Sequence, residues 1–178
     1  MRPKMARGVA LLTLALTVFI AGCTSSTNNT SAGQHDAFLE KYLAAYQTEV
    51  KGNATFNAWE VTWVNSTAAT VHFTFGNSAG NRTASTNVSM VRFQSVPEAT
   101  SYVNGLGKTG YALNSAAYDA SNATDESSAY VQAAGHAPTV YKLYEGTTGE
   151  LLLNATIHTI EQLDDLVVTT TLTPTYTS

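Results

Sequence analysis

Residues 56–76 read FNAWEVTWVNSTAATVHFTFG, and this stretch decides the fold class that the sequence predicts. Large apolar side chains alternate with polar ones on both sides of a central Asn-Ser-Thr. The apolar set consists of Trp59, Val61, Trp63, Val71, Phe73 and Phe75. Alternation with a period of two is the pattern of a strand with one buried face. Two such runs around a short polar segment predict a β-hairpin.

The register of this hairpin follows from placing its apolar residues opposite one another, because a slip of one residue would expose one set to water. The predicted pairs are Trp59–Phe75, Val61–Phe73 and Trp63–Val71. They leave a loop of three or five residues centred on Thr67, with Asn65 at its exposed tip. On the polar face, Thr62 then lies opposite His72, and Glu60 lies diagonal to that histidine.

Two helices are predicted to pack on the sheet that contains this hairpin. Residues 35–51 carry apolar side chains at steps of three and four, and Gly52 supplies a stop signal. Residues 95–98, Ser-Val-Pro-Glu, form a capping box with proline in the first turn. A short helix should therefore follow them and end near Gly105.

The rest of the chain is predicted to be mainly β-strand. Strands are expected at residues 83–94, 111–118, 150–160 and 166–172, with fraying from Thr173 onward. Residues 138–145 fit either a helical turn or a hairpin arm, and their β-branched and aromatic content favours the strand. Runs of strands interrupted by single helices are typical of α+β proteins. We expect an N-terminal helix and a second short helix packed on a mainly antiparallel sheet of about five to seven strands.

The N-terminus carries an export signal. Arg2, Lys4 and Arg7 precede an apolar segment of 13 residues, 9–21. This segment is shorter than the roughly 20 residues that cross a bilayer, so a secretory signal fits better than a transmembrane helix. The motif Ile20-Ala21-Gly22-Cys23 that follows resembles the lipobox of bacterial and archaeal lipoproteins.

This resemblance implies that the thiol of Cys23 takes a diacylglyceryl group and that the chain is cut just before it. An ordinary signal that happens to end near a cysteine is the alternative. Residues 24–33 are all Ser, Thr, Asn, Ala or Gly and predict a flexible tether. The predicted organisation is a signal peptide (1–22), a lipidated cysteine with tether (23–34) and a single α+β domain (35–174). Cys23 is the only cysteine, so no disulfide can form within the chain.

The charge of the chain excludes some classes of partner. Three of the nine Lys and Arg residues lie in the leader, so six remain against 13 acidic residues after cleavage. Nucleic-acid binding needs clustered cations that displace counterions, and the mature chain lacks them. Attraction of the protein surface to anionic lipid headgroups is excluded for the same reason.

Glycosylation sequons are unusually frequent. Eight asparagines are followed two places on by Ser or Thr, against about three expected from the composition. Asn28 and Asn29 lie in the tether, and the candidates in the domain are Asn53, Asn65, Asn81, Asn87, Asn122 and Asn154. The alternative is a Thr/Asn-rich surface without glycans. With the lipobox, these sequons make the chain similar to small predicted envelope lipoproteins of archaea, a resemblance that implies location and no functional residue.

The sequence contains no motif of a catalytic, phosphate-binding or metal site. Its four histidines lack metal-ligand spacing, so no catalytic residue, metal or cofactor is predicted. His72 with Glu60 is the one acid–imidazole pair that local geometry brings near. His136, beside a proline in a Gly-His-Ala-Pro turn, is the strongest single candidate for a ligand contact. Asp164 and Asp165 are expected to form a solvated turn between strands.

The predicted function follows from location more than from chemistry. We expect a lipoprotein held on the outer face of the cell membrane by the lipid on Cys23, with a structural, interaction or accessory binding role. Its partners would be the membrane and an envelope protein or glycan, with no nucleic acid. One alternative is a binder of a small glycan or peptide in a pocket between the helix of Tyr42 and Tyr46 and the sheet. A hydrolase built around His72 and Glu60 is the other.

Overall fold

A computed structural model describes residues 34–51, 55–76, 82–113, 128–149 and 155–176. In these residues, seven antiparallel strands form one sheet and three helices lie against it. The strands are β1 (Thr55–Asn65), β2 (Ala68–Gly76), β3 (Arg82–Arg92), β4 (Tyr111–Leu113), β5 (Tyr141–Thr148), β6 (Thr156–Leu163) and β7 (Leu166–Tyr176). The helices are α1 (Ala37–Lys51), α2 (Val96–Gly105) and α3 (Ser128–Ala134). The predicted α+β class, with an antiparallel sheet of this size, is confirmed.

The sheet is made of two meanders that meet at its centre. Its strand order is β1-β2-β3-β7-β6-β5-β4, so the C-terminal strand β7 pairs with β3. Between the two meanders, α2 follows β3, and the chain then continues to β4 at the far edge. β7 runs to Tyr176 because it pairs with β3 along its whole length, so the fraying predicted from Thr173 is wrong.

The predicted hairpin is confirmed, but its register is wrong by two residues. The observed pairs are Trp59–Phe73, Val61–Val71 and Trp63–Ala69. Asn65 pairs with Ala68, which leaves a two-residue turn of Ser66 and Thr67. The side-chain oxygen of Asn65 accepts hydrogen bonds from Thr67 N (2.8 Å) and Thr67 Oγ1 (3.3 Å), which favours this tight turn. From Ala58 to Trp63 this shift of two residues keeps the side chains on their predicted faces, and the pairing has an irregularity at each end of that range.

One face of the sheet packs against α1 and α3. Its buried core is formed by Leu39, Tyr42, Leu43, Val71, Phe73, Val88, Met90, Tyr130, Leu143, Leu163 and Val168. We call this face the α1/α3 face. The stripe predicted for the first helix is confirmed, since Tyr42 is only 3% exposed. α3 lies in a segment too short for the sequence to assign, and it ends at Gly135, whose φ of 76° suits glycine.

The opposite face, which we call the α2 face, is covered only in part. The predicted cap of α2 is confirmed, since Ser95 Oγ accepts a hydrogen bond from Glu98 N at 3.4 Å. Ala99 and Val103 of this helix pack against Ile160 of β6 and Val167 of β7. Because α2 has ten residues and lies near β6 and β7, no helix among the described residues covers the same face of β1, β2, β3 and the later part of β7.

The turn between β6 and β7 is not the solvated turn that the sequence predicts. Asp164 is 8% exposed and has a φ of 52°. Its Oδ1 accepts hydrogen bonds from Thr139 N (2.8 Å), Thr139 Oγ1 (2.7 Å) and Val140 N (2.7 Å), and its Oδ2 accepts one from Tyr130 Oη (2.9 Å). Burial by itself would raise the pKa of Asp164, but these hydrogen bonds outweigh burial and hold the pKa below its ordinary 3.8.

The neighbouring Asp165 belongs to a second group of contacts around Arg92 at the end of β3. Arg92 Nη1 donates to both carboxylate oxygens of Asp36 at 2.9 Å, and Arg92 Nε donates to Asp165 at 3.3 Å. The guanidinium also lies 4.5 Å from the ring centre of Phe38. Asp36 N in turn donates to Ser66 O at 2.8 Å. The start of α1 is thereby joined to three strand ends.

Replacing Asp164 with asparagine tests its structural role. We expect Asp164→Asn to lower the free energy of unfolding at pH 7 by about 1–3 kcal/mol, because a buried amide replaces a charged acceptor. The stabilisation by Asp164 is present above pH 3.8 and is lost as the pH falls through its lower folded-state pKa. Urea unfolding at pH 7 and pH 3 should therefore show a difference between the two proteins that shrinks in acid. Asp165 is more exposed, so Asp165→Asn should lower the free energy of unfolding by less, about 0–1 kcal/mol. Equal losses in the two variants would contradict the structural role of Asp164.

Candidate functional site

Eight polar side chains lie together on the open part of the α2 face. We call them the polar array. The register of β1, β2, β3 and β7 places them in two parallel rows, Glu60–His72–Asn87–Thr171 and Thr62–Thr70–Ser89–Thr169. Neighbouring strands lie about 4.8 Å apart and alternate residues about 6.8 Å apart, so the array measures roughly 14 Å by 7 Å. It lines a shallow concavity of about 400 Å³.

The array results from the same alternation that builds the core. On each of the four strands, one set of alternate residues enters the α1/α3 core and the other set faces the opposite way. Val71 and Val88, for example, are buried on the α1/α3 face between array residues of β2 and β3. Threonine is frequent in the array because it is β-branched and suits a half-exposed strand.

His72 and Asn87 form the centre of the first row. His72 Nδ1 lies 3.0 Å from Asn87 Oδ1. An amide oxygen can only accept, so His72 Nδ1 donates this hydrogen bond. The amide group of Asn87 keeps two N–H donors. Glu60 lies directly opposite His72, so the diagonal placement predicted for it is wrong, as is the pairing of Thr62 with His72.

The array ends at β6, where His158 holds its last member. His158 Nδ1 lies 3.2 Å from Thr171 Oγ1, and His158 Nε2 lies 3.2 Å from Thr148 Oγ1. Both ring nitrogens are thus used within the protein. The ring centre of Tyr111 lies 6.3 Å away, and a Cβ built on Gly146 would meet the Tyr111 ring at 3.1 Å. Sequence reasoning missed this group because its members come from four separate strands.

The candidate residues predicted from sequence do not all meet at this site. The structure brings Glu60, His72 and Asn87 together in one row. His136 lies apart, on the turn after α3, where its Nδ1 is 3.1 Å from Ala134 O and its ring meets Tyr130 edge-on. Asn65 is exposed in the β1–β2 turn. The other candidates lie outside the described residues: Cys23, Asn53, Asn81, Asn122 and Asn154.

The space that was predicted to hold a pocket, under Tyr42 and Tyr46 of α1, is rich in aromatic packing. The Tyr46 ring centre lies 6.0 Å from that of Tyr42 and 6.2 Å from that of Trp59. Trp63 stacks on His35 with ring centres 3.9 Å apart. Both tryptophans therefore lie on the α1/α3 face, on the side of the sheet opposite the polar array.

Two glutamates lie close to these tyrosines. Burial raises the pKa of Glu49 to about 7. Burial also raises the pKa of Tyr46, and the nearby charges of Glu161 and Glu49 raise it further. The pKa of Tyr42 is raised for the same reasons. This part of the interface between α1 and the sheet therefore disfavours negative charge.

The described residues hold neither a metal cluster nor a membrane-spanning helix. No group of three or more His, Cys, Asp or Glu side chains in them is arranged to bind a metal ion. None of the helices in the same residues is both long and apolar enough to cross a bilayer. The chain matches no protein-family model, no curated protein and no solved structure.

The raised pKa of Glu49 predicts an unusual pH dependence of stability. A carboxyl whose folded-state pKa lies above its ordinary 4.5 contributes stability that is fully present below pH 4.5 and is lost as the pH rises through about 7. Glu49→Gln removes this loss. We expect the free energy of unfolding of the variant, relative to the wild type, to rise by about 1–3 kcal/mol between pH 5 and pH 8. Urea unfolding at the two pH values measures it, and a constant difference would contradict the assignment.

Proposed function

We propose that this protein is a lipid-anchored, non-enzymatic binding domain of the cell envelope that presents its polar array to a hydrophilic partner. The observation that carries the proposal is the array itself. Eight hydrogen-bonding side chains from four strands line one concavity on the face that the helices leave open. A concave surface with a small set of convergent polar groups is a common feature of binding sites.

The charge and hydrogen bonding of the array support binding rather than catalysis. Glu60 is its only acidic residue, and no Lys or Arg lines it. Within the described residues, the imidazole of His72 bonds to an amide and not to a hydroxyl. The hydroxyl of Thr171 does meet an imidazole, that of His158, but the other ring nitrogen of His158 meets the hydroxyl of Thr148 and not a carboxylate that would activate it as a base. Hydroxyl, amide and imidazole groups are suited to reversible hydrogen bonding with a polar partner.

The location rests on the leader and its lipobox. A lipid on Cys23 would hold the mature chain at the outer face of the membrane, since two acyl chains anchor far more firmly than one. The tether of residues 24–33 would reach on the order of 15–20 Å. It precedes α1, whose start is fixed to the sheet by the contacts of Asp36 with Ser66 and Arg92. This tether would hold the array outside the membrane and close to its surface.

Exposed sequons support an extracytoplasmic location as well. Asn65, Ser66 and Thr67 form the exposed turn between β1 and β2. A surface turn suits an N-linked glycan because the asparagine there is accessible. We therefore include a glycan on Asn65 in the proposal.

Replacing the lipidated cysteine tests the anchor. Cys23→Ser removes the thiol that would carry the lipid, so the protein should move from the membrane pellet to the soluble fraction of a carbonate wash. Ser25→Ala, two residues further along the tether, is the matched control and should leave the protein in the pellet. A Cys23→Ser variant that still pellets would contradict the lipid anchor.

A pair of substitutions at Thr67 tests the glycan. Thr67→Ala removes the sequon of Asn65, whereas Thr67→Ser keeps it. Both variants keep the hydrogen bond that the backbone N–H of residue 67 donates to Asn65 Oδ1. We expect the intact mass of the exported protein to fall by one glycan in Thr67→Ala and to keep that glycan in Thr67→Ser. Masses that differ from the wild type only by the side-chain atoms in both variants would contradict glycosylation at this turn.

A further inference from the structure

We propose that the polar array binds a short, neutral oligosaccharide chain whose long axis runs across the strands. The inference rests on the proposed binding function and adds the chemical class and the orientation of the ligand. Four features of the array support it: the charge, the hydrogen-bonding groups, the shape and the position of Asn87 within a strand.

The charge of the array excludes anionic ligands. Phosphorylated or acidic polymers are held by Lys and Arg side chains. The array has neither, and the carboxylate of Glu60 lies in its first row. Its other seven members are hydroxyl, amide or imidazole groups. A ligand that matches them carries many polar groups and no net negative charge.

The hydrogen-bonding groups of the array favour a sugar over a peptide. Thr and Ser hydroxyls both donate and accept, as the hydroxyls of a sugar do. Asn87 adds two N–H donors beside the second ring nitrogen of His72. A peptide would instead be bound along a strand edge or through apolar anchors. The array lies within the face of the sheet, and it exposes no aromatic or aliphatic side chain as an anchor.

The shape of the array gives the orientation. Its rows run across β1, β2, β3 and β7 for roughly 14 Å, twice its extent along the strands. At the β7 end, the second row meets Ile160 of the α2 core and the first row meets His158. At the other end, the rows reach β1, which is the edge of the sheet. A linear chain can therefore enter over β1 and end at β6.

Asn87 must be unmodified for this site to work. It belongs to the sequon Asn87-Val88-Ser89, and an N-linked glycan on it would occupy the centre of the concavity. Unlike Asn65 in its turn, Asn87 lies within a central strand, and His72 binds its side chain. Asn87 is therefore assigned as a ligand contact.

The test is a titration of the full-length lipidated protein in detergent with defined oligosaccharides, followed by saturation-transfer NMR and calorimetry. The neutral probes are maltohexaose, cellohexaose, mannohexaose and chitohexaose with their shorter homologues, and the acidic probe is oligogalacturonate. We expect at least one neutral series to bind, with an affinity that rises with chain length and then levels off. The acidic probe should not bind.

Variants of the array locate the binding. His72→Ala and Asn87→Ala should each weaken binding of the neutral probe at least tenfold. Thr74→Ala and Ser85→Ala change a pair on the same face of β2 and β3, one row outside the array, and should stay within twofold of the wild type. Matching unfolding midpoints confirm that all four variants are folded. Binding that is insensitive to His72 and Asn87 overturns the proposal.

Two further results would overturn it. One is a glycan on Asn87, which Ser89→Ala would reveal by lowering the intact mass by one glycan. The other is the absence of binding to every neutral probe. In that case, binding of the protein to washed envelopes of the expressing cells is compared between the wild type and His72→Ala. A loss in the variant retains the binding function without this ligand class, and no loss rejects both.

Discussion

The buried carboxylate of Asp164 organises one end of this protein. It accepts hydrogen bonds from Tyr130 of α3 and from Thr139 and Val140, which lead into β5, while the residue itself forms the β6–β7 turn. Its neighbour Asp165 binds Arg92 at the end of β3, and Arg92 binds Asp36 at the start of α1. Two adjacent acids thus fix two helices to the ends of three strands, in a chain that has no disulfide to do so.

This arrangement places α1 and α3 on the same face of the sheet and leaves the other face to α2. Since α2 is short and packs near β6 and β7, it cannot reach β1, β2 and β3. Among the described residues, the polar side chains of those strands therefore have no helix above them. The open surface is a consequence of how the helices are distributed, and the strands supply its chemistry by alternation.

The leader and the array supply complementary parts of the proposed function. In that proposal, the lipid on Cys23 holds the domain at the membrane. The array is the surface proposed to meet a partner, and its lack of Lys and Arg argues against an anionic one. Hydrogen bonds without ionic contacts give weak binding. Such a domain would gain from the high local concentration that a membrane anchor provides.

The elements of the fold were largely predictable from sequence because each is encoded locally. The apolar stripe of α1, the capping box of α2 and the alternation in β1 and β2 are properties of neighbouring residues. The register of the hairpin was not predictable, because the side chain of Asn65 closes a two-residue turn that apolar alternation does not reveal. Nor was α3 predictable, since seven residues carry too weak a periodic signal.

The sequence by itself was enough to predict the α+β class and the face on which the alternating residues of the β1–β2 hairpin lie. Only the tertiary structure decided that Asp164 is buried, because its hydrogen-bond donors lie 24 to 34 residues away along the chain. It also decided that Glu60, His72, Asn87 and Thr171 form one row, because that depends on β7 inserting beside β3. Pairing between distant strands sets such neighbours, and no local pattern records it.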